Sequence, residues 1–255
     1  MVTGRPEDGA YAHYVIVPVA QAAILPDNIS FADGVVVPFA LIAAVHALSN
    51  KVPSPAMPGV STPALSLPFP SLESLPIGKT LVVYGGSSSV GTMSIQLAKA
   101  AGIHVIAVTS AHNADLCKRC GAAEVFDRKD PAVVEKVLEA IAKSGNELAG
   151  IVDPISSVDS YAHDIAILTK LGGGQIAGSH PPPVEVPENV KAGMFYAVSD
   201  IANPVWNNYV TAALQAGSLQ CLPQPTIVGK GLEFVQEALR KSSEGISGTK
   251  LVVEL

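Results

Sequence analysis

Apolar residues recur along this chain in short β-branched runs separated by amphipathic stretches, the alternation expected of strands and crossover helices. Strands are predicted at Thr80–Tyr84, Ile103–Thr109, Glu124–Phe126, Gly150–Val152, Gly174–Gly178 and near Met194–Val198. Helices at Thr92–Ala101, Ala114–Cys120, Pro131–Lys143 and Ser160–Leu171 lie between the first five of them. Short strands with helical crossovers describe an α/β fold built on a doubly wound parallel sheet. Upstream, Tyr11–Pro18 alternates like a strand and Ser30–Asn50 carries an apolar helix. Downstream come helices around Val205–Ala216 and Lys230–Lys241 and a final strand at Lys250–Glu254. Between Lys51 and Lys79 lie seven prolines and little periodicity, so this stretch reads as a long irregular connection of the kind that usually carries function.

The most informative segment is Leu81–Gly91, LVVYGGSSSVG, where an apolar strand runs into a Gly/Ser loop and then a helix. That order sets backbone N–H groups and the positive end of a helix at the strand's carboxyl edge, where a dinucleotide pyrophosphate binds in a Rossmann fold. Gly86-x-Ser88-x-x-Gly91 fills the G-x-G-x-x-G frame with Ser replacing the middle Gly. Gly86 is expected to make the tight turn and Gly91 to let helix and strand pack closely. Ser87, Ser88 and Ser89 supply hydroxyl donors beside Val90.

The second strand bears on the cofactor. An NAD site places Asp or Glu near its carboxyl end to bind the ribose 2′-hydroxyl, and no acid occurs between Ile103 and Ala114. Ser110, His112 and Asn113 stand there instead, small polar groups and a cationic one that suit a 2′-phosphate, so NADP(H) is favoured over NAD(H). Asn113 can also cap the helix that begins at Ala114.

Composition narrows the class. The chain has 255 residues, of which 48% are hydrophobic and only 15% charged, which describes a packed globular protein. The formal net charge of −6, without a basic cluster, argues against nucleic acid. The most apolar runs, Ala12–Leu25 and Val35–Val45, are interrupted or short, and no secretory pattern opens the chain, so a cytoplasmic protein without a membrane span is expected. Cys117 and Cys120 form a lone C-x-x-C and Cys221 stands apart, whereas structural zinc takes four ligands, so no metal site is expected. No Tyr is followed four positions later by Lys and no G-x-S-x-G occurs, which removes two common catalytic templates. His46 on its apolar helix reads as a packing residue, as do His13, His104 and His163. His180, after the predicted strand Gly174–Gly178, can shape a site mouth or sit in a Pro-rich surface loop.

The segments Asp8–Val17 (DGAYAHYVIV), Leu25–Phe31 (LPDNISF), Gly78–Gly91, Cys120–Asp127 (CGAAEVFD), Val228–Val235 (VGKGLEFV) and Gly245–Val253 (GISGTKLVV) carry a resemblance in their order and spacing. The chain resembles fungal members of the medium-chain dehydrogenase/reductase superfamily, the CipB-type zinc-binding oxidoreductases and trans-acting enoyl reductases. The resemblance implies residues 1–48 as the remnant of a β-rich GroES-like catalytic lobe, 49–200 as the Rossmann domain and 201–255 as a C-terminal unit returning to the lobe. Roughly the first third of a full-length member, with its zinc ligands or substrate contacts, would precede residue 1. Ala43 stands where zinc-free relatives place a Thr facing the nicotinamide, and Arg128 where relatives often place a Tyr near the adenine ribose; Arg128 can pair with a 2′-phosphate or sit solvated in a loop. The implied activity is NADP(H)-dependent hydride transfer to or from a carbonyl or activated C=C of a small-molecule substrate, with the proline-rich stretch helping to exclude water. A catalytically silent NADP(H)-binding or scaffold protein is the other reading; no catalytic residue is identified and a homodimer is left open.

Overall fold

Val82, Val83, Ile106, Ala107 and Val108 are all fully buried, which is the mark of strands covered on both faces. The computed structural model describes residues 14–57, 60–196 and 200–255. In chain order these contain helices α1 (Phe31–Gly34) and α2 (Val37–Ser49) and a hairpin of β1 (Ser54–Met57) and β2 (Val60–Thr62). Next come β3 (Lys79–Tyr84), α3 (Ser89–Ala100), β4 (His104–Thr109), α4 (Ala114–Cys120), β5 (Glu124–Asp127) and α5 (Val133–Ser144). They are followed by β6 (Glu147–Asp153), α6 (Val158–Lys170), β7 (Gly174–Gly178) and β8 (Val190–Met194).

Strands β3 to β8 form one six-stranded sheet in the order β5-β4-β3-β6-β7-β8, parallel throughout. The chain starts in the middle, winds to one edge through β4 and β5, then returns to wind the other way from β6. This is the doubly wound order that opens a crevice at the switch point between β3 and β6. Period-two alternation sorts the strand side chains: Leu81, Val83, Val105 and Ala107 join the core beneath α2, α3 and α4, whereas Val82, Tyr84, Ile106 and Val108 join the core beneath α5 and α6. Each buried Leu or Ile in these layers contributes about 1.5–3 kcal/mol.

Two caps fix where crossover helices start. Ser88 Oγ accepts from Gly91 N at the head of α3, and Ser157 with Ser160 forms a reciprocal capping box at the head of α6. Helix α2 packs on α3 and is buried from Ala40 to Ser49. By length and composition Phe31–Ser49 could cross a membrane, but the helix breaks between Gly34 and Val37 and most of it lies inside the core.

The proline-rich stretch departs from expectation twice. It contains the β1–β2 hairpin, whose Thr62 Oγ1 donates to Met194 O at 2.6 Å on the edge strand β8. Beyond the hairpin it runs under the amino ends of the sheet: Ser71 N donates to Ala100 O, Ile77 N to Gly102 O, and Ala64 bonds the Gln175 side chain at the start of β7. Leu65 and Leu67 are buried there. The stretch therefore seals the sheet edge opposite the Gly85–Gly91 turn and cannot exclude water from a site at that turn.

Tyr14–Pro18 is not a strand: Tyr14 is 93% and Ile16 84% exposed, and among the described residues no strand lies beside this run to form a ladder with it. Residues 11–13 of that expectation lie outside the described residues, as do 197 and 198 of the last predicted sheet strand, and the sixth sheet strand is β8, which ends at Met194 where the predicted one began. The helix expected around Val205–Ala216 divides into α7 (Asn203–Val205), a π-turn (Trp206–Val210) and α8 (Thr211–Gln215). Pro225–Lys230 forms an unforeseen strand β9, and Gly231 at φ +104° separates it from the helix expected to start at Lys230. The helix is α9 (Val235–Ser243), and β9 pairs in parallel with β10 (Lys250–Glu254) in a separate two-stranded sheet.

Candidate functional site

The turn after β3 is made differently from its expected form. Gly85, not Gly86, takes the left-handed conformation, φ +71°, and a Cβ on it would meet Ile155 Cγ1 at 2.3 Å. Gly86 serves close packing instead, its missing Cβ facing Cys117 Sγ, Ala107 and Ile95 at 3.0–3.2 Å. Gly91 is required by proximity: a Cβ there would lie 2.3 Å from Gly85 O and 2.9 Å from the Gly86 Cα. The result is a tight backbone cradle at the positive end of α3, on the carboxyl edge of the sheet.

The three serines have separate partners. Ser87 Oγ accepts from Thr109 Oγ1 at 2.8 Å and from Asn113 Nδ2 at 3.1 Å, which ties the turn after β3 to the end of β4. Ser88 is the cap of α3, and Ser89 Oγ accepts from Lys250 Nζ at 3.3 Å. Lys250, on β10, was not singled out by sequence reasoning; only its position at the head of the last predicted strand marked it. Burial holds its amine below the usual lysine range. Val90, with Ser87–Ser89 and Lys250, lines a cavity of about 630 Å³ whose other walls are Val35, Phe39 and the apolar side of α9 and β10. Ala43 does not face this opening; it is buried in the core at 1% exposure.

The residues after β4 assemble into two groups. Arg128 Nε donates to Ser110 Oγ at 3.1 Å, so the two are neighbours across the ends of β4 and β5. Asn113 makes no capping bond to α4. Its amide reaches Ser87 and, at 2.8 Å, Ser247 Oγ, which also contacts His112 Nε2 at 3.2 Å. The segment before β10 thereby lies across the loop that follows β4.

On the other side of the crevice, the turn after β6 is held by Asp153. Its Oδ1 accepts from Ile155 N at 2.8 Å and Ser156 N at 3.0 Å, and its Oδ2 from Ser160 Oγ at 2.6 Å. Ser156 sits at φ +51°, a conformation that costs a non-glycine residue about 1 kcal/mol or more. Its hydroxyl donates to Asp153 O and accepts from Ser179 N and His180 N, coupling the ends of β6 and β7. Ile155 from this turn lies over Gly85 and is 45% exposed at the switch point. Sequence reasoning missed this turn, since an Asp ending an apolar strand carries no motif.

The remaining titratable groups are structural in placement. Burial pushes the Cys117 and Cys120 thiols up to about 12, and among the described residues no three His, Cys, Asp or Glu side chains come together as a metal site. A zinc ion thus finds no donor set in the described part of the chain. His46 accepts from Tyr196 N at 2.7 Å through Nδ1, and burial lowers its pKa, so it is a neutral packing residue. Tyr84 Oη meets His163 Nδ1 at 2.8 Å, and His180 Nδ1 meets Ser179 Oγ at 2.9 Å.

Comparison with known proteins agrees with this architecture. Residues 89–198 match the family described as zinc-binding dehydrogenase. The chain is 63% identical to dehydrogenase orsE of Emericella nidulans, over all of this chain and 74% of the relative. It is 33% identical to the trans-enoyl reductase himH of Aspergillus japonicus, over all of this chain and 71% of that protein. Among solved structures, an NAD-dependent alcohol dehydrogenase superposes with a TM-score of 0.68 at 21% identity, covering 97% of this chain and 65% of the other. A mycobacterial protein solved in complex with NADPH does so with a TM-score of 0.63 at 16% identity, covering 94% and 70%. The first is NAD-dependent and the second was solved with NADPH, so the shared fold leaves the choice to local residues. With a doubly wound sheet, a Gly/Ser turn at its switch point and close relatives among fungal dehydrogenases, the chain belongs to the zinc-binding dehydrogenases of the medium-chain dehydrogenase/reductase superfamily, a superfamily of oxidoreductases.

Proposed function

We propose that this chain binds NADP(H) at the switch-point crevice and serves hydride transfer to or from a carbonyl or an activated C=C bond of a small molecule. The observation that carries the cofactor choice is the Arg128–Ser110 contact at 3.1 Å, a guanidinium at the end of the second strand where an NAD site has a carboxylate. Arg128 uses only Nε in this contact and keeps its other N–H groups for a 2′-phosphate. His112 and Asn113 lie on the same edge.

The cradle at Gly85, Gly86 and Gly91 supports pyrophosphate binding, because the missing Cβ of Gly91 lets the head of α3 close onto the Gly85–Gly86 turn and bring its N–H groups to the sheet's carboxyl edge. Lys250 adds a cation to that end of α3, and Ser87, which accepts two bonds, keeps its own hydrogen for a phosphate oxygen. Ile155 forms the apolar wall facing the turn. When bound, the nicotinamide cofactor supplies the hydride, while these residues bind and orient it. An enoyl-type acceptor is supported by the trans-enoyl reductase among the relatives, and the enone and quinone types by the family resemblance.

Fluorescence titration with NADPH and NADH tests the reading: tighter binding of NADPH is expected, and equal affinity or a preference for NADH overturns the phosphate-site assignment. Oxidation of NADPH in the presence of quinones, enals and enones then tests turnover; binding without turnover in any of them would make the chain a cofactor-binding protein and not an enzyme.

A further inference from the structure

Behind the turn after β6 lies a second carboxyl group that the cofactor site does not use. Asp164 is fully buried on α6, one helical turn beyond Ser160, whose hydroxyl donates to Asp153. Among the described residues no N–H or hydroxyl donor reaches either of its oxygens. Asp153 is also fully buried but has three donors: Ile155 N, Ser156 N and Ser160 Oγ. Two ionised carboxylates cannot share this space, since the one without donors would be an uncompensated buried charge beside a like charge. The proton therefore belongs on Asp164, and the charge on Asp153, which has the three donors.

We propose that Asp164 is a positioning residue that works as a neutral carboxylic acid: its O–H gives Asp153 a fourth hydrogen bond and so fixes the turn 154–157 that walls the cofactor crevice. The proposal rests on the reading of that crevice as the cofactor site. The turn needs such support because Ser156 is held in a left-handed conformation and Ile155 must stay over Gly85. Burial and the neighbouring Asp153 hold the Asp164 carboxyl well above the usual carboxylate range, in agreement with the geometry.

The groups around the pair do not offer an alternative home for the proton's charge. Tyr84 on β3 and Tyr161 on α6 face it, and burial raises both phenols above the usual range, so they remain neutral. Tyr161 Oη is itself buried without a partner among the described residues. His163 is engaged with Tyr84, while Asp159 on α6 and Arg128 after β5 act on Tyr84 through space with opposite sign. His180, beyond β7, meets the turn only through its backbone N–H on Ser156.

Infrared spectroscopy of the whole chain at neutral pH, comparing wild type with D164N, tests where the proton lies. Wild type is expected to show the carbonyl stretch of one un-ionised carboxylic acid, and D164N to lack it. No such band in wild type, or the same band in D164N, overturns the proposal. The asparagine amide can donate to Asp153 without a proton to lose, so D164N should keep the turn. A raised carboxyl pKa makes the folded state hold a proton that the unfolded state releases; burial raises Asp153 as well, so both proteins lose stability with rising pH, but wild type, with two such groups, loses it more steeply. The thermal midpoint of D164N should therefore gain on wild type between about pH 4 and pH 7; a constant difference counts against the neutral acid.

Positioning is read separately, by hydrogen exchange at the Ile155 and Ser156 amides in D164L, which has similar bulk and no donor. Exchange there should be about tenfold faster than in wild type and restored in D164N; unchanged protection in D164L, or protection lost equally in D164N, refutes the positioning role. If D164L does not fold, protection at these amides in D164N decides alone. None of these measurements uses cofactor, so failure of the NADP(H) reading leaves them intact.

Discussion

Replacing Gly91 with alanine tests whether the cradle at the head of α3 has the tolerance its geometry implies. The new Cβ would sit 2.3 Å from Gly85 O and 2.9 Å from both the Gly86 Cα and Ser88 Oγ. An ordinary contact needs roughly 3.5 Å, so the turn or the helix must move by about 1 Å. The nearest atoms are backbone, and a flexible side chain cannot absorb the shift. Alanine in a first helical turn gains up to about 1 kcal/mol over glycine, while overpacking of this kind costs about 1–3 kcal/mol. The net loss of stability is up to about 2 kcal/mol, or a fall of roughly 4–8 °C in Tm for a chain of this size. Binding should suffer more. A 1 Å displacement misaligns the N–H groups aimed at the phosphates, and loss of one charge-assisted hydrogen bond weakens binding about tenfold or more. Calorimetry and NADPH fluorescence titration on the same preparation separate the two effects. NADPH affinity within twofold of wild type, with an unchanged Tm, would refute the assignment of Gly91 to a tight phosphate cradle.

Three further outcomes follow from the same geometry. R128A should lose NADPH affinity about tenfold or more and change NADH binding little, because only the 2′-phosphate calls for the guanidinium; S110D should shift preference toward NADH, since its carboxylate would pair with Arg128 and repel the phosphate, and paired titrations of each variant check both. K250M should weaken both cofactors about tenfold without lowering the apo Tm, because burial disfavours the Lys250 cation. With the lysine present, affinity should fall at alkaline pH as the depressed amine loses its proton, a limb absent from K250M titrations. Purified protein dialysed without chelator should hold less than stoichiometric zinc by elemental analysis, given that Cys117 and Cys120 are buried thiols pushed up to about 12; one zinc per chain would show that the donor set lies in residues 1–13 or another undescribed part.

By itself the sequence determined the elements whose cause is local. The strands β3, β4 and β7 and the helix α4 follow from local period and composition within a few residues, whereas α3 starts at Ser89, three residues before the expected Thr92, because Ser88 caps it. Even there the local rule put the tight turn one residue late, at Gly86, because either glycine satisfies the pattern and only the packing of Ile155, Cys117 and Ala107 distinguishes them. Tertiary structure decided everything that depends on a distant partner. Tyr14–Pro18 has the alternation of a strand and no ladder, Pro225–Lys230 becomes a strand because β10 lies beside it, and the proline-rich stretch is placed under the far edge of the sheet by hydrogen bonds to Ala100 and Gly102. The site divides the same way. Ser87–Gly91 is contiguous and was legible; Arg128 on Ser110, Ser247 on Asn113 and Lys250 on Ser89 are contacts between residues far apart in the chain. Propensity and periodicity act over one or two turns of chain, whereas these contacts exist only after the sheet has wound both ways from β3 and brought its carboxyl ends together.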